Sequence, residues 1–181
     1  MCGRYYIDDE MEAEIRKILR NIDMKLESHR EVFPTNTVPI ITAEDKMQLD
    51  HLIWGFKHWD PSKKSVLINA KADTVLDRKM FKDSVMNRRC VVPTSGFYEW
   101  DKAKNKIAFS APESKVLYLA GFWKNDRFII ITTQANNSVA DVHARMPLVL
   151  EPGEIENWLF DPDMYQLILN KVPGKLNRET A

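Results

Sequence analysis

Apolar residues at Met11, Ile15, Ile18, Leu19 and Ile22 recur at the spacing of one helical face, and Asp8 and Asp9 stand ahead of them, where carboxylates cap a helix and complement its dipole. An amphipathic helix over residues 8–22 is predicted. From Val38 onward the texture changes to short β-rich runs over residues 38–42, 47–54, 65–69, 90–93, 116–123 and 127–133. Their number predicts a mixed or barrel-like sheet. Between them Val75, Met80, Phe81 and Val85 make a helical pattern over residues 73–87, and residues 153–169 predict one or two short helices broken near Pro162. The fold class is therefore α+β, a single compact domain over residues 1–181 with a β-rich, barrel-like core flanked by helices. No repeat, low-complexity segment or long Pro/Gly-rich linker divides it.

Composition narrows the function. A chain of 181 residues with 44% hydrophobic content can bury one substantial core unaided. No stretch nears the roughly 18 uninterrupted apolar residues of a membrane helix, and the first residues lack a signal peptide's apolar run, so a soluble cytoplasmic protein without membrane partners is expected. Cys2 and Cys90 are the only cysteines, which suggests neither a disulfide framework nor a metal site. The balance of 26 basic against 26 acidic residues argues against holding nucleic acid by bulk positive field, although a local groove remains compatible with it. Lys63-Lys64, Arg88-Arg89 and the run Lys102, Lys104, Lys106 read as solvated faces or polar turns.

Cys2 changes the picture. Removal of Met1, expected from the small residue that follows it, would leave an α-amine and a thiol on adjacent carbons. The amine titrates at about 7.7 to 8.0, so an appreciable fraction is nucleophilic at neutral pH. An aldehyde is the matching electrophile: the amine forms a Schiff base, and the thiol closes onto the imine carbon as a five-membered thiazolidine.

Three segments join turn-forming residues to reactive side chains beside predicted strands: Asn69-Ala70-Lys71, Gly96-Phe97-Tyr98-Glu99-Trp100 and His143-Ala144-Arg145-Met146-Pro147. Glu99 among aromatics is placed to have a raised pKa suited to proton transfer. His143 offers an imidazole for proton exchange, and Asn69 an amide able to orient an aldehyde oxygen or an amine. Arg4, Lys71 and Arg145 could contact phosphates. Trp54, Trp59 and Trp100 could stack bases of a single strand, although core packing explains most aromatics equally well; Trp59, between His58 and Asp60, is the one least expected in a core.

In their order, with Cys2-Gly3-Arg4 at the start and Arg88-Arg89-Cys90-Val91-Val92-Pro93 leading into the glycine-aromatic-glutamate segment, these motifs closely resemble those of the SRAP family, the SOS-response-associated peptidases. The resemblance implies a compact α+β fold and a sensor of abasic sites in single-stranded DNA, crosslinking through Cys2 to shield the lesion. It needs no cofactor or metal, acts as a monomer, and in a bacterium would associate with the nucleoid. Carried over by motif, Cys2 is the nucleophile, Asn69 positions it, and Glu99 and His143 assist ring opening and proton transfer. Arg4, Asn36, Lys71 and Arg145 would hold the DNA. The chain departs from the family in having Lys71 where arginine is usual and Asp73 where glutamate is usual, and lysine cannot make a forked phosphate contact. Two other classes stay open: an N-terminal-nucleophile amide hydrolase, with the Cys2 amine as base, and a non-catalytic single-strand binding module.

Overall fold

The computed structural model describes residues 2–8, 10–18, 30–58, 60 and 62–181. The chain forms β1 (Arg4–Ile7), α1 (Glu10–Ile18), β2 (Arg30–Val32), β3 (Thr37–Ala43), β4 (Met47–Trp54), β5 (Phe56–Lys57), β6 (Val66–Leu67) and β7 (Asn69–Lys71). Then α2 (Lys79–Asn87) leads into β8 (Arg89–Thr94), β9 (Gly96–Trp100), β10 (Lys106–Ser110), β11 (Leu117–Lys124) and β12 (Arg127–Gln134). β13 (Arg145–Pro147) and β14 (Val149–Leu150) precede a 3-10 turn (Pro152–Glu154), α3 (Ile155–Phe160), α4 (Met164–Leu169) and β15 (Asn177–Thr180).

β12 pairs with β4 on one edge and β11 on the other, so the order β12, β4, β3, β8, β11 returns to its start and closes a barrel. Closure removes the unpaired edges of an open sheet. Every residue of β8 is buried, because one face lines the barrel while helices and the second sheet cover the other. Where β4 leaves β12, opposite Arg127 and Phe128, β7 takes over the parallel pairing opposite Ile130 to Thr132. Asn69 is thus fixed to the barrel wall.

The second sheet runs β15, β10, β9, β1, β2. The chain passes from barrel to sheet through Thr94, Ser95 and Gly96, where the Ser95 amide donates to the Tyr6 carbonyl at 3.0 Å. A Cβ on Gly96 would sit 2.3 Å from the Phe109 carbonyl oxygen and 2.4 Å from the Tyr6 hydroxyl, so only glycine admits this close approach.

The helical pattern over residues 73–87 yields a helix only from Lys79; before it, amides of Thr74 and Asp77 bond the carbonyls of Lys71 and Thr74 in successive turns that bury Val75. The predicted strand over residues 65–69 is divided at Ile68 into β6 and β7. The two C-terminal helices break around Pro162, as its ring dictates. Asp9, Leu19, Ile22 and Trp59 lie outside the described residues. Arg89 is no part of a solvated face. Only 6% exposed, it donates from Nη1 to the carbonyls of Val85 (3.1 Å) and Met86 (2.6 Å) and from Nη2 to those of Leu159 (3.3 Å) and Asp161 (3.2 Å). Nε donates to the Trp158 carbonyl, and the guanidinium lies 4.5 Å from the Tyr165 ring centroid. One cation thereby caps the C-terminal ends of α2 and α3, where carbonyls lack partners and the dipole is negative.

Candidate active site

Cys2 lies just ahead of β1 and is buried. Its carbonyl accepts a hydrogen bond from Asn69 Nδ2 at 2.9 Å, which ties the segment before β1 to β7 on the barrel wall. Asn69 Oδ1 is buried and has no hydrogen-bond partner among the described residues, an acceptor held ready beside Cys2. The Cys2 thiol points to the Arg4 carbonyl at 3.9 Å. Burial, and secondarily the charge of Glu99, pushes this thiol well above the ordinary range, so it rests protonated.

Glu99 comes from β9. Arg4 pairs with Tyr98, and extending that antiparallel register by one residue sets Gly3 opposite Glu99, beside Cys2. At 3% exposure, burial pushes its carboxyl up, while the neighbouring His143 imidazole acts in the opposite direction. His143 ends the turns before β13. Its Nδ1 lies 3.0 Å from both the amide nitrogen and the carbonyl oxygen of Arg145. With Nε2 protonated, Nδ1 accepts from the amide; with Nδ1 protonated, in the other neutral tautomer or in the imidazolium, it donates to the carbonyl. Either protonation state keeps a backbone partner. Arg145 itself donates from Nη2 to the Thr132 carbonyl (2.6 Å) and to Asp73 Oδ1 (2.9 Å), leaving its side chain 15% exposed.

A family model of the SOS response associated peptidases, SRAP, matches residues 1–178. The chain belongs to the SRAP family. It is 31% identical over 195 residues to the abasic site processing protein YoqW of Bacillus subtilis, covering 93% of this chain and 86% of that one. To the abasic site processing protein YedK of Escherichia coli it is 27% identical, covering 88% and 79%. To the abasic site processing protein HMCES of Gallus gallus it is 28% identical, covering 70% and 52%. The fold matches a crystal structure from Bacteroides thetaiotaomicron (TM-score 0.81, 23% identity, 99% of this chain and 91% of that one) and one from Bordetella bronchiseptica (TM-score 0.82, 19% identity, 99% of both).

In this SRAP chain the remaining sequence-predicted residues separate into surface and core. The Arg4 guanidinium is stacked between the exposed rings of Phe33 (4.3 Å) and Trp100 (5.1 Å), with Glu31 3.3 Å away and Lys106 on the same carboxylate. Lys71 is exposed on the rim of a groove of about 570 Å³ lined also by Asn69, Asp73, Arg78, Lys79 and Phe81. Asn36 is a turn residue whose Oδ1 accepts the Phe33 amide at 2.9 Å. Trp54 is a correction: it is 0% exposed, donates its indole N–H to the Ile68 carbonyl at 3.0 Å, and packs on Tyr5 and Phe128. A ring with no free face cannot stack a base.

Sequence reasoning passed over Phe33, Glu31, Arg78 and Lys79. For the last two a signal existed, since Arg78 and Lys79 stand at the start of α2, where cations oppose the helix dipole and no acidic residue offsets them. Such a placement is unfavourable for the helix and favourable for an anion arriving from outside. Among the described residues, no helix is long and apolar enough to cross a membrane, and no three His, Cys, Asp or Glu side chains converge to hold a metal.

Proposed function

We propose that the chain captures abasic sites in single-stranded DNA as a covalent thiazolidine on Cys2 after removal of Met1. The observation that carries this reading is the Asn69 hydrogen bond to the Cys2 carbonyl, which ties Cys2, near the buried carboxyl of Glu99, to the strand that lines the cationic groove. The names of the relatives, abasic site processing proteins, support the same substrate.

A ring-opened abasic deoxyribose displays an aldehyde at C1. Glu99 in its acid form donates to the ring oxygen as the sugar opens, and His143 accepts the hydroxyl proton. The Cys2 amine then adds to C1, water leaves, and an imine forms. Because the thiol rests protonated, the amine acts first; the S–H then adds across the C=N bond, sulfur to carbon and hydrogen to nitrogen. This closure matters, since an open imine acidifies the C2 proton and permits β-elimination with strand cleavage. Lys71, Arg78 and Lys79 hold phosphates along the groove, and Trp100 and Phe33 offer faces to bases.

Intact-mass measurement before and after incubation with an abasic oligonucleotide reports Met1 removal and capture together. Cys2→Ala is expected to abolish the stable adduct, and Cys2→Ser to leave only a labile imine that borohydride traps. Stable adducts from Cys2→Ala on a denaturing gel would overturn the proposal.

A further inference from the structure

The position of His143 depends on a residue remote from it in sequence. The Nδ1 side of its ring is held by the backbone of Arg145, and that backbone is set by pairing with Gln134 and by the Arg145 guanidinium. The guanidinium donates from one nitrogen to both Asp73 Oδ1 and the Thr132 carbonyl. The same Thr132 carbonyl accepts the Ala72 amide at 2.8 Å. Asp73 lies two residues past the end of β7, four positions beyond Asn69. The exit of β7 and the start of β13 therefore meet on one carbonyl of β12, and the Asp73–Arg145 pair closes the corner.

We propose that Asp73 is a positioning residue for His143, acting through Arg145 as a brace that holds the His143 turn in register with the Asn69 strand. The proposal rests on the capture reading above. It also changes what Arg145 does: with Nη2 of its guanidinium engaged by Asp73 and Thr132, Arg145 is a strut before it is a phosphate contact. Asp73 is 60% exposed on its side chain, and an exposed pair of this kind adds little to stability. The brace acts on geometry, and a misplacement of about 1 Å in a proton-transfer group slows chemistry up to roughly a hundredfold.

The test uses the full chain with Asp73→Asn and Asp73→Glu, reading three quantities: the capture rate at saturating abasic oligonucleotide, the affinity for an undamaged single strand, and the ¹⁵N resonances of the His143 ring without DNA. Asp73→Asn is expected to slow capture roughly ten- to a hundredfold, to leave undamaged-strand affinity equal or tighter because a cation is released, and to shift the Nδ1 resonance from its wild-type position. Asp73→Glu, which keeps the carboxylate, is expected to restore rate and resonance together. An unmoved ring resonance in Asp73→Asn overturns the brace, as does weaker undamaged-strand binding at unchanged capture rate. If the wild-type chain captures no abasic strand, the functional reading fails, while the ring resonance alone still decides whether Asp73 positions His143.

Discussion

Arg89 and Glu99 are both buried and ionisable, yet the fold treats them in opposite ways. Around Arg89 the donors of the guanidinium meet carbonyls from two helix ends, so the charge stays and the desolvation is offset by hydrogen bonds. Around Glu99 burial is answered by displacing the titration itself, which favours the neutral acid. A buried charge whose capacity is fully used stabilises; a buried group whose protonation is poised is equipped for chemistry.

Arg89→Met puts the largest strain on that contrast. It leaves helix-end carbonyls of α2 and α3 buried without donors and is expected to lower stability by about 3 kcal/mol, a fall in melting temperature of about 6 to 12 °C. Capture per folded molecule should not change. A melt within 2 °C of wild type, roughly the scatter between neutral surface variants, would remove Arg89 from the comparison.

Glu99→Gln carries the opposite sign. Below the unfolded carboxyl pKa of about 4.3 both states hold the proton. As pH rises through that value the unfolded chain releases its proton while the buried carboxyl retains it, so wild-type stability declines until the raised folded pKa is passed. Glutamine has no proton to lose. The variant is therefore expected to match wild type at pH 4 and to exceed it at pH 8 in thermal melts, while its capture is slower at every pH. Parallel melting curves across that range would show that Glu99 is not strained.

Lys71→Ala completes the series with the smallest effect. An exposed rim cation contributes nothing to folding, so the melt should not move, but the slope of log affinity against log salt for an undamaged single strand is expected to become shallower by about 0.7. An unchanged slope would place the strand elsewhere.

The local patterns were readable where one face of one element decided them. The β3, β4, β11 and β12 runs, the C-terminal helix pair and the first helix over its described residues follow from spacing of apolar side chains. Cys2, Asn69, Glu99 and His143 were legible as reactive groups in motif order, but their convergence depends on β7 running parallel to β12 and on β9 lying beside β1, pairings between residues far apart. Trp54 and Arg89 were misread for one reason: their partners, Ile68 and Tyr5 for the first and residues 158–161 for the second, lie across the fold. Residue type alone does not say whether an aromatic face or a guanidinium will be covered. The short strands β13, β14 and β15 carry too few residues for alternation to register.

The tie between Cys2 and β7 also sets an order of events in time. Synthesis runs from the amino end, so Cys2 is made before Asn69, Glu99 and His143, which follow across roughly 140 residues; at about 5 to 20 residues per second, the interval is about 7 to 28 s. Until those later segments arrive the burial of Cys2 is incomplete, and an amine and thiol unmasked by removal of Met1 would stand open to any small aldehyde in the surrounding fluid. The hydrogen bond from Asn69 thus also ends a vulnerable interval, and conditions rich in free aldehydes should poison nascent chains more readily than finished ones.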